Sequence, residues 1–230
     1  MEPHDQAEPR TVSRRAVVST GAAVGVGAWA APSILSYDRV AAAIGSCGTK
    51  PRQIDFTDYA GNTIPSSFSA ADGTTVTVAV ADPDNVQDSF WDFRAYGGTI
   101  NGRDNPAITG MSGANGGEGV TITITFSTPV EPSFFLVDVD RASNSWEDRV
   151  EIQGYLLAGT GIDPDSLTVG GSAVTVVNPR LVQGLSSSNS TNSEVEVDFQ
   201  EPIDTITIRH YDDTSWTQFQ WIGVHDFHWC

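Results

Sequence analysis

The stretch Val120-Thr121-Ile122-Thr123-Ile124-Thr125-Phe126 decides the fold. Its large apolar side chains recur at every second position, with threonine between them. Successive side chains of an extended chain point to opposite faces, so this segment offers Val120, Ile122, Ile124 and Phe126 to a core and its threonines to the other side. The same period recurs outward in both directions. Val76, Val78 and Val80 alternate with Thr75, Thr77 and Ala79, Val150, Ile152 and Gly154 with Arg149, Glu151 and Gln153, and Val195, Val197 and Phe199 with Glu194, Glu196 and Asp198. Further strands are expected at 53–57, 88–96, 133–140, 172–177, 203–211 and 219–229. Turn-forming runs such as Asn115-Gly116-Gly117, Thr128 to Pro132 and Ser186 to Ser193 separate them. No segment after residue 43 carries a capped amphipathic helix. The pattern predicts an all-β chain folded as a two-sheet antiparallel sandwich of jelly-roll-like topology, which hides its strand edges. An immunoglobulin-like sandwich is the near alternative, but its mid-chain cysteine pair is missing.

Charge narrows the partners. The chain has 230 residues and a formal net charge of -17. Residues 1–43 contain four basic residues (Arg10, Arg14, Arg15, Arg39) and four acidic ones (Glu2, Asp5, Glu8, Asp38), so residues 44–230 keep the whole excess. Nucleic acid and anionic lipid are bound through Lys and Arg that displace counterions, so a surface this acidic excludes a nucleic-acid function. Gly110 to Gly117 precedes an expected strand and not a helix, which rules out a phosphate loop.

Thr11-Val12-Ser13-Arg14-Arg15-Ala16-Val17-Val18 leads into an uncharged, small-residue stretch that ends near Ser36, and Ala41-Ala42-Ala43 follows. This arrangement resembles a bacterial twin-arginine export signal. The resemblance implies that residues 1–43 form a helical, cleavable signal segment and that Arg14 and Arg15 are read by the Tat export machinery. It also implies that residues 44–230 work outside the cytoplasm, secreted or associated with the cell envelope. A membrane anchor is the competing reading. Gly21, Gly25, Gly27 and Pro32 weaken such a helix, so no stable membrane insertion is expected after cleavage.

Cys47 and Cys230 are the two cysteines. In an oxidising compartment an even pair reads as a disulfide, here closing the exported chain end to end. Ile44-Gly45-Ser46-Cys47 also resembles a lipoprotein box, but Ser36-Tyr37-Asp38-Arg39 interrupts the apolar run before it, and lipidation would strand Cys230.

Two loops could carry chemistry. On an extended strand, Asp138 and Asp140 would continue the row begun by Phe134 and Leu136. With Asn144, Glu147 and Asp148 they make an oxygen-rich set of the type calcium takes, about six to eight ligands in all. The competing reading is a rim in which Asp138 and Asp140 pair with Arg141 and Arg149. If the strands simply alternate in direction, loops 141–147 and 212–218 fall at one end, bringing Trp146 and Trp216 beside Asp212 and Asp213. Rings flanked by acidic side chains suit an extracellular glycan, whose C–H faces stack while its hydroxyls need acceptors.

No Gly-x-Ser-x-Gly or His-Glu-x-x-His motif is present, so no catalytic residues are assigned. The expected function is a non-enzymatic binding or adhesion module of the bacterial cell exterior, glycan-directed and calcium-stabilised. The alternatives are a glycoside-active hydrolase using carboxylates among Asp138, Asp140, Glu147 and Asp148, and a structural envelope protein without a small ligand.

Overall fold

The threonine-spaced strand sits inside the larger of the two main sheets, and Thr99–Ile100 and Arg103–Asp104 form a small hairpin of their own. The computed structural model describes residues 49–230, apart from Asn115, Asn189, residues 157–158 and 215–217, and the side chains of residues 88–91. The leader with Arg14 and Arg15, Cys47 and Trp216 lie outside the described residues. The strands are β1 (Arg52–Ile54), β2 (Ser67–Ser69), β3 (Thr75–Ala81), β4 (Gln87–Ala95), β5 (Thr99–Ile100), β6 (Arg103–Asp104), β7 (Ala107–Met111), β8 (Gly119–Val130) and β9 (Ser133–Val137). They continue as β10 (Arg141–Ala142), β11 (Trp146–Leu156), β12 (Thr160–Ile162), β13 (Ser166–Val169), β14 (Val174–Asn178), β15 (Leu181–Gly184), β16 (Val195–Asp198), β17 (Ile203–Asp212) and β18 (Gln220–His228).

One sheet has the order β13-β16-β9-β18-β7-β4, with β1 also on β18. The other runs β14-β15-β11-β17-β8-β3-β2, with β10 and β12 on β11. In sequence, β7, β8 and β9 pair antiparallel with β18, β17 and β16. That nested ribbon, passing from one sheet to the other, is the jelly-roll wrap. The expected all-β sandwich is thus the fold.

Alternation does the packing. Ile122, Ile124 and Phe126 of β8, Ile206 and Ile208 of β17, and Val150 and Ile152 of β11 meet Phe134 and Leu136 of β9 and Ile222 and Val224 of β18, all withdrawn from solvent. Each such side chain contributes about 1.5–3 kcal/mol of burial free energy. Phe134 and Phe227 stack with centroids 4.6 Å apart.

Aspartates with positive φ break the alternation of two strands that frame the site. In β18, Asp226 (φ 23°) shifts the pattern so that Phe227 and Trp229 follow Ile222 and Val224 into the core. The expected strand at 133–140 ends early, at Val137, because Asp138 takes φ 62°. The strand expected at 53–57 is likewise short. Asp55 accepts from the Thr57 N–H and caps a 3-10 turn over Phe56–Tyr59. At the C-terminus Trp229 N–H donates to the Pro51 carbonyl at 3.2 Å, and Cys230 is not a free thiol.

Candidate functional site

The positive φ at Asp138 builds the site. Asp is among the few residues that enter the left-handed region at modest cost. Because it does so here, Val139 joins Phe134 and Leu136 in the core, and Asp138 and Asp140 leave the apolar row they were expected to extend. Asp140 is then held from three sides. Its carboxylate accepts from the Trp146 indole N–H at 2.7 Å and from the Ser188 N–H at 2.9 Å. Its own N–H donates to Asp148 Oδ2 at 3.1 Å, and its carbonyl accepts from the Asp148 N–H at 3.0 Å.

Asp138, Asp140, Trp146, Ser187, Phe219, Gln220 and Trp221 line a cleft of about 380 Å³. A smaller one of about 210 Å³, lined by Tyr96, Thr99, Ile100, Asn101, Asp138 and Trp221, adjoins it. Asp138 and Trp221 belong to both. Tyr96 stacks on Trp221 with centroids 5.8 Å apart and planes 21° from parallel. The β5–β6 hairpin forms the outer wall, and Arg103 ties it down by lying over the Phe135 ring at 3.4 Å and pairing with Glu194 at 3.2 Å. Two other hollows, beside Arg52 and beside Lys50, contain their own ion pairs, Arg52–Asp55 and Lys50–Asp198.

Burial sets the charge of the cleft. It pushes the Asp138 carboxyl up to about 8, helped by the nearby Asp140 and Asp148, so this group carries its proton at neutral pH. Burial also raises Asp140, against the opposing hydrogen bonds from Ser188 and Trp146. Behind the cleft, Asp148 and His210 are fully enclosed, with Oδ1 and Nε2 2.8 Å apart. Burial drives Asp148 well above the usual carboxylate range and His210 down to about 3, which makes the contact a hydrogen bond between neutral groups.

Asp140, Glu147 and Asp148, expected to ligate calcium, are engaged within the protein. Asp140 accepts from the Trp146 indole and the Ser188 N–H, and Asp148 is committed to the Asp140 N–H and to His210. Glu147 receives Arg141 at 3.2 Å, Arg149 at 3.2 Å and the Gln183 amide at 2.9 Å. Asn144 is exposed at the apex of the β10–β11 turn with φ 62°. Among the described residues no group of three or more His, Cys, Asp or Glu is placed to hold a metal ion. The rim reading is also redrawn, because the arginines assigned to Asp138 and Asp140 pair instead with Glu147 and Asp213.

Of the expected glycan contacts, Trp146 lines the cleft. Asp212 does not offer its carboxylate, since Oδ1 accepts from the Thr214 N–H and hydroxyl, both at 2.6 Å, and Oδ2 from the Gln220 amide at 3.2 Å. Asp213 is exposed and pairs with Arg149 at 2.8 Å. The shared-end geometry does hold, for Asp148 of β11 stands opposite Asp212 of β17. Sequence reasoning missed Tyr96, Asn101, Gln220 and Trp221. A signal was present in the 219–229 run, where large apolar residues on both strand faces mark a strand covered on both sides.

No known protein family, curated protein or solved structure matches this chain.

Proposed function

We propose that residues 44–230 are a glycan-binding module of the bacterial cell exterior, delivered by the twin-arginine leader and holding its ligand in the cleft between Trp146, Trp221 and Tyr96. The observation that carries this reading is the union of a stacked Tyr96–Trp221 pair with a buried carboxyl, Asp138, which burial pushes up to about 8. A ring face supplies the apolar half of sugar recognition, and a neutral carboxyl both donates to and accepts from hydroxyls. Binding is favoured over hydrolysis by the state of the carboxylates. A glycosidase needs a pair about 5–9.5 Å apart and free to act across the sugar. Asp140 is clamped by two N–H donors, while Glu147 and Asp148 are committed to other partners. A glycan array combined with a panel of chromogenic glycosides tests the reading: retention without turnover supports it, and turnover or a blank array contradicts it.

Export and closure belong to the same proposal. Replacing Arg14 and Arg15 together with lysine should hold the protein inside the cell, and unchanged export would refute the route. Cys47 and Cys230 are proposed to form a disulfide. The chain entering the domain runs antiparallel to β18, with Arg52 opposite His228. Cys47 lies three residues before Lys50, whose carbonyl is 3.3 Å from His228 Nδ1, and three residues span about 10 Å. Thiol titration of the unfolded, unreduced secreted protein should find no free thiol. Two free thiols would contradict the bridge.

A further inference from the structure

The smaller sheet closes one of its ends and leaves the other open. Along β4, the Gly61 and Ile64 N–H groups donate to the Ala95 and Phe93 carbonyls at 2.9 and 3.4 Å, and the Ala95 N–H donates to the Asn62 carbonyl at 3.0 Å. At the opposite end stands β13, paired with β16 on one side and with no described strand on the other. β14, which follows it in the chain, ends the larger sheet in the same way. Residues 166–178 form both strands and the turn between them. They contain no Asp, Glu, Lys or Arg, in a chain of net charge -17. The next charge, Arg180, pairs with Glu151 at 3.1 Å. Of the large apolar side chains exposed among the described residues, all but Tyr96 lie in this region: Val169 on β13, Val176 and Val177 on β14, and Leu185 just past β15.

Sheet edges are ordinarily protected by charge, by proline or by a covering segment, because free N–H and C=O groups recruit another strand. β13 carries none of these, and the groups it leaves free can be named. The Gly170 N–H donates to the Glu194 carbonyl at 2.9 Å, and in the same register Thr168 stands opposite Glu196 and Ser166 opposite Asp198. Bonded pairs alternate along an antiparallel ladder, so Leu167 and Val169 turn their N–H and C=O groups away from β16. Thr168 is exposed between them.

We propose that β13 pairs with β13 of a second copy of this chain, antiparallel about a two-fold axis at Thr168, so that the smaller sheets of two molecules join into one. No residue of β13 or β14 lines the cleft, so the inference is independent of what the cleft binds. A two-fold interface has to be self-complementary. With Thr168 facing its own counterpart, Leu167 of each strand meets Val169 of the other, and the free N–H and C=O groups of both are satisfied. The exposed valines of β13 and β14 supply apolar area around that pairing. Charge selects the same occupant. Acidic surfaces of two copies repel, and this edge is the border whose strands carry no carboxylate to oppose the approach. A basic partner would be drawn to the acidic surface instead, because nothing on these strands could hold it by charge.

Sedimentation velocity of the exported protein over a range of concentrations is the test. The expected result is a mass that rises from one copy to two and stops there. The dimer should be tighter by about threefold or more in molar-range salt than in dilute buffer, since screening relieves the repulsion between acidic copies. Thr168→Lys leaves the new side chain opposite Glu196 within its own molecule but sets lysine against lysine across the axis. It should weaken the dimer by about fivefold or more. Thermal unfolding of the dilute, monomeric protein should be unchanged by it. Hydrogen exchange gives a reading that needs no variant: the amides of Leu167 and Val169 should be slowed in concentrated samples and not in dilute ones. A protein that stays single at every concentration, a mass that climbs past two, a dimer undiminished by Thr168→Lys, or exchange at Leu167 and Val169 that ignores concentration overturns the proposal.

Discussion

Asp148 Oδ1 lies 2.8 Å from His210 Nε2 with both side chains fully enclosed, where the apolar rows of β11 and β17 end. The pair looks like a salt bridge by distance. Burial favours the neutral form of each partner, so the Asp148 carboxyl donates its proton to the imidazole and accepts the Asp140 N–H on its other oxygen. Asn can reproduce both contacts, since its amide N–H donates to Nε2 and its oxygen accepts. Asp148→Asn should accordingly cost less than about 1 kcal/mol by denaturant unfolding at neutral pH. Asp148→Ala leaves Nε2 and the Asp140 N–H without partners and should cost about 2–4 kcal/mol. Equal, large losses in both variants would mean that the pair is ionised.

Asp138 makes stability depend on pH. Its folded value, about 8, lies above the unfolded one near 3.8. Below the unfolded value both states are protonated and the group is neutral to stability. Between the two the folded state holds a proton that the unfolded state has released, so stability falls as pH rises toward 8. Asp138→Asn, which cannot ionise, should unfold at the parent's temperature at pH 4 and at a higher temperature by pH 8–9. Parallel unfolding curves across that range would contradict the assignment. His210 acts in the opposite sense, because its lowered value removes stability as pH falls below about 6.5 toward 3.

Chelation should leave the fold unchanged. The carboxyl oxygens of Asp140 and Glu147 are already met by N–H donors or by arginine, and Asp148 is committed to the Asp140 N–H and to His210. Thermal unfolding with EDTA, and again after calcium is restored, should give one and the same transition. A fall of several degrees, recovered with calcium, would place a metal in this loop after all.

Gly184 is required by the site and not by a turn. A Cβ there would overlap the Asp140 carbonyl, which β15 approaches directly. Gly184→Ala should cost about 1–3 kcal/mol by overpacking. It should also weaken ligand binding by displacing the Asp140 backbone and the Trp146 indole that it fixes. Full stability of this variant would show that the segment yields more readily than its packing implies.

The strands were legible because period two is a local property. Ile122, Ile124 and Phe126 announce their face whatever lies opposite. The site was less legible because it depends on where that property fails. A single φ of 62° at Asp138 turns Val139 into the core and Asp140 out of the expected row, and no residue pattern around it announces that turn. Trp146 was found because an aromatic in an acidic loop stands out. Tyr96, Asn101 and Trp221 were not, because they come from segments about 120 residues apart that only the pairing of β7 with β18 brings together. Arg141 and Arg149 were recognised as rim cations, but their carboxylate partner was not. Alternation places Glu147 and Asp148 on opposite faces of β11, which gives the arginines the first and His210 the second.

Binding of neutral oligosaccharides to the exported domain, compared between the parent and Trp221→Ala, tests the central claim most directly, because Trp221 is common to both parts of the cleft. The account predicts saturable binding to the parent and a loss of about tenfold or more in a variant whose circular dichroism shows the same sandwich, stacking alone being worth about 0.5–1.5 kcal/mol beyond area. Absence of binding to every neutral glycan, or undiminished binding by Trp221→Ala, would contradict it.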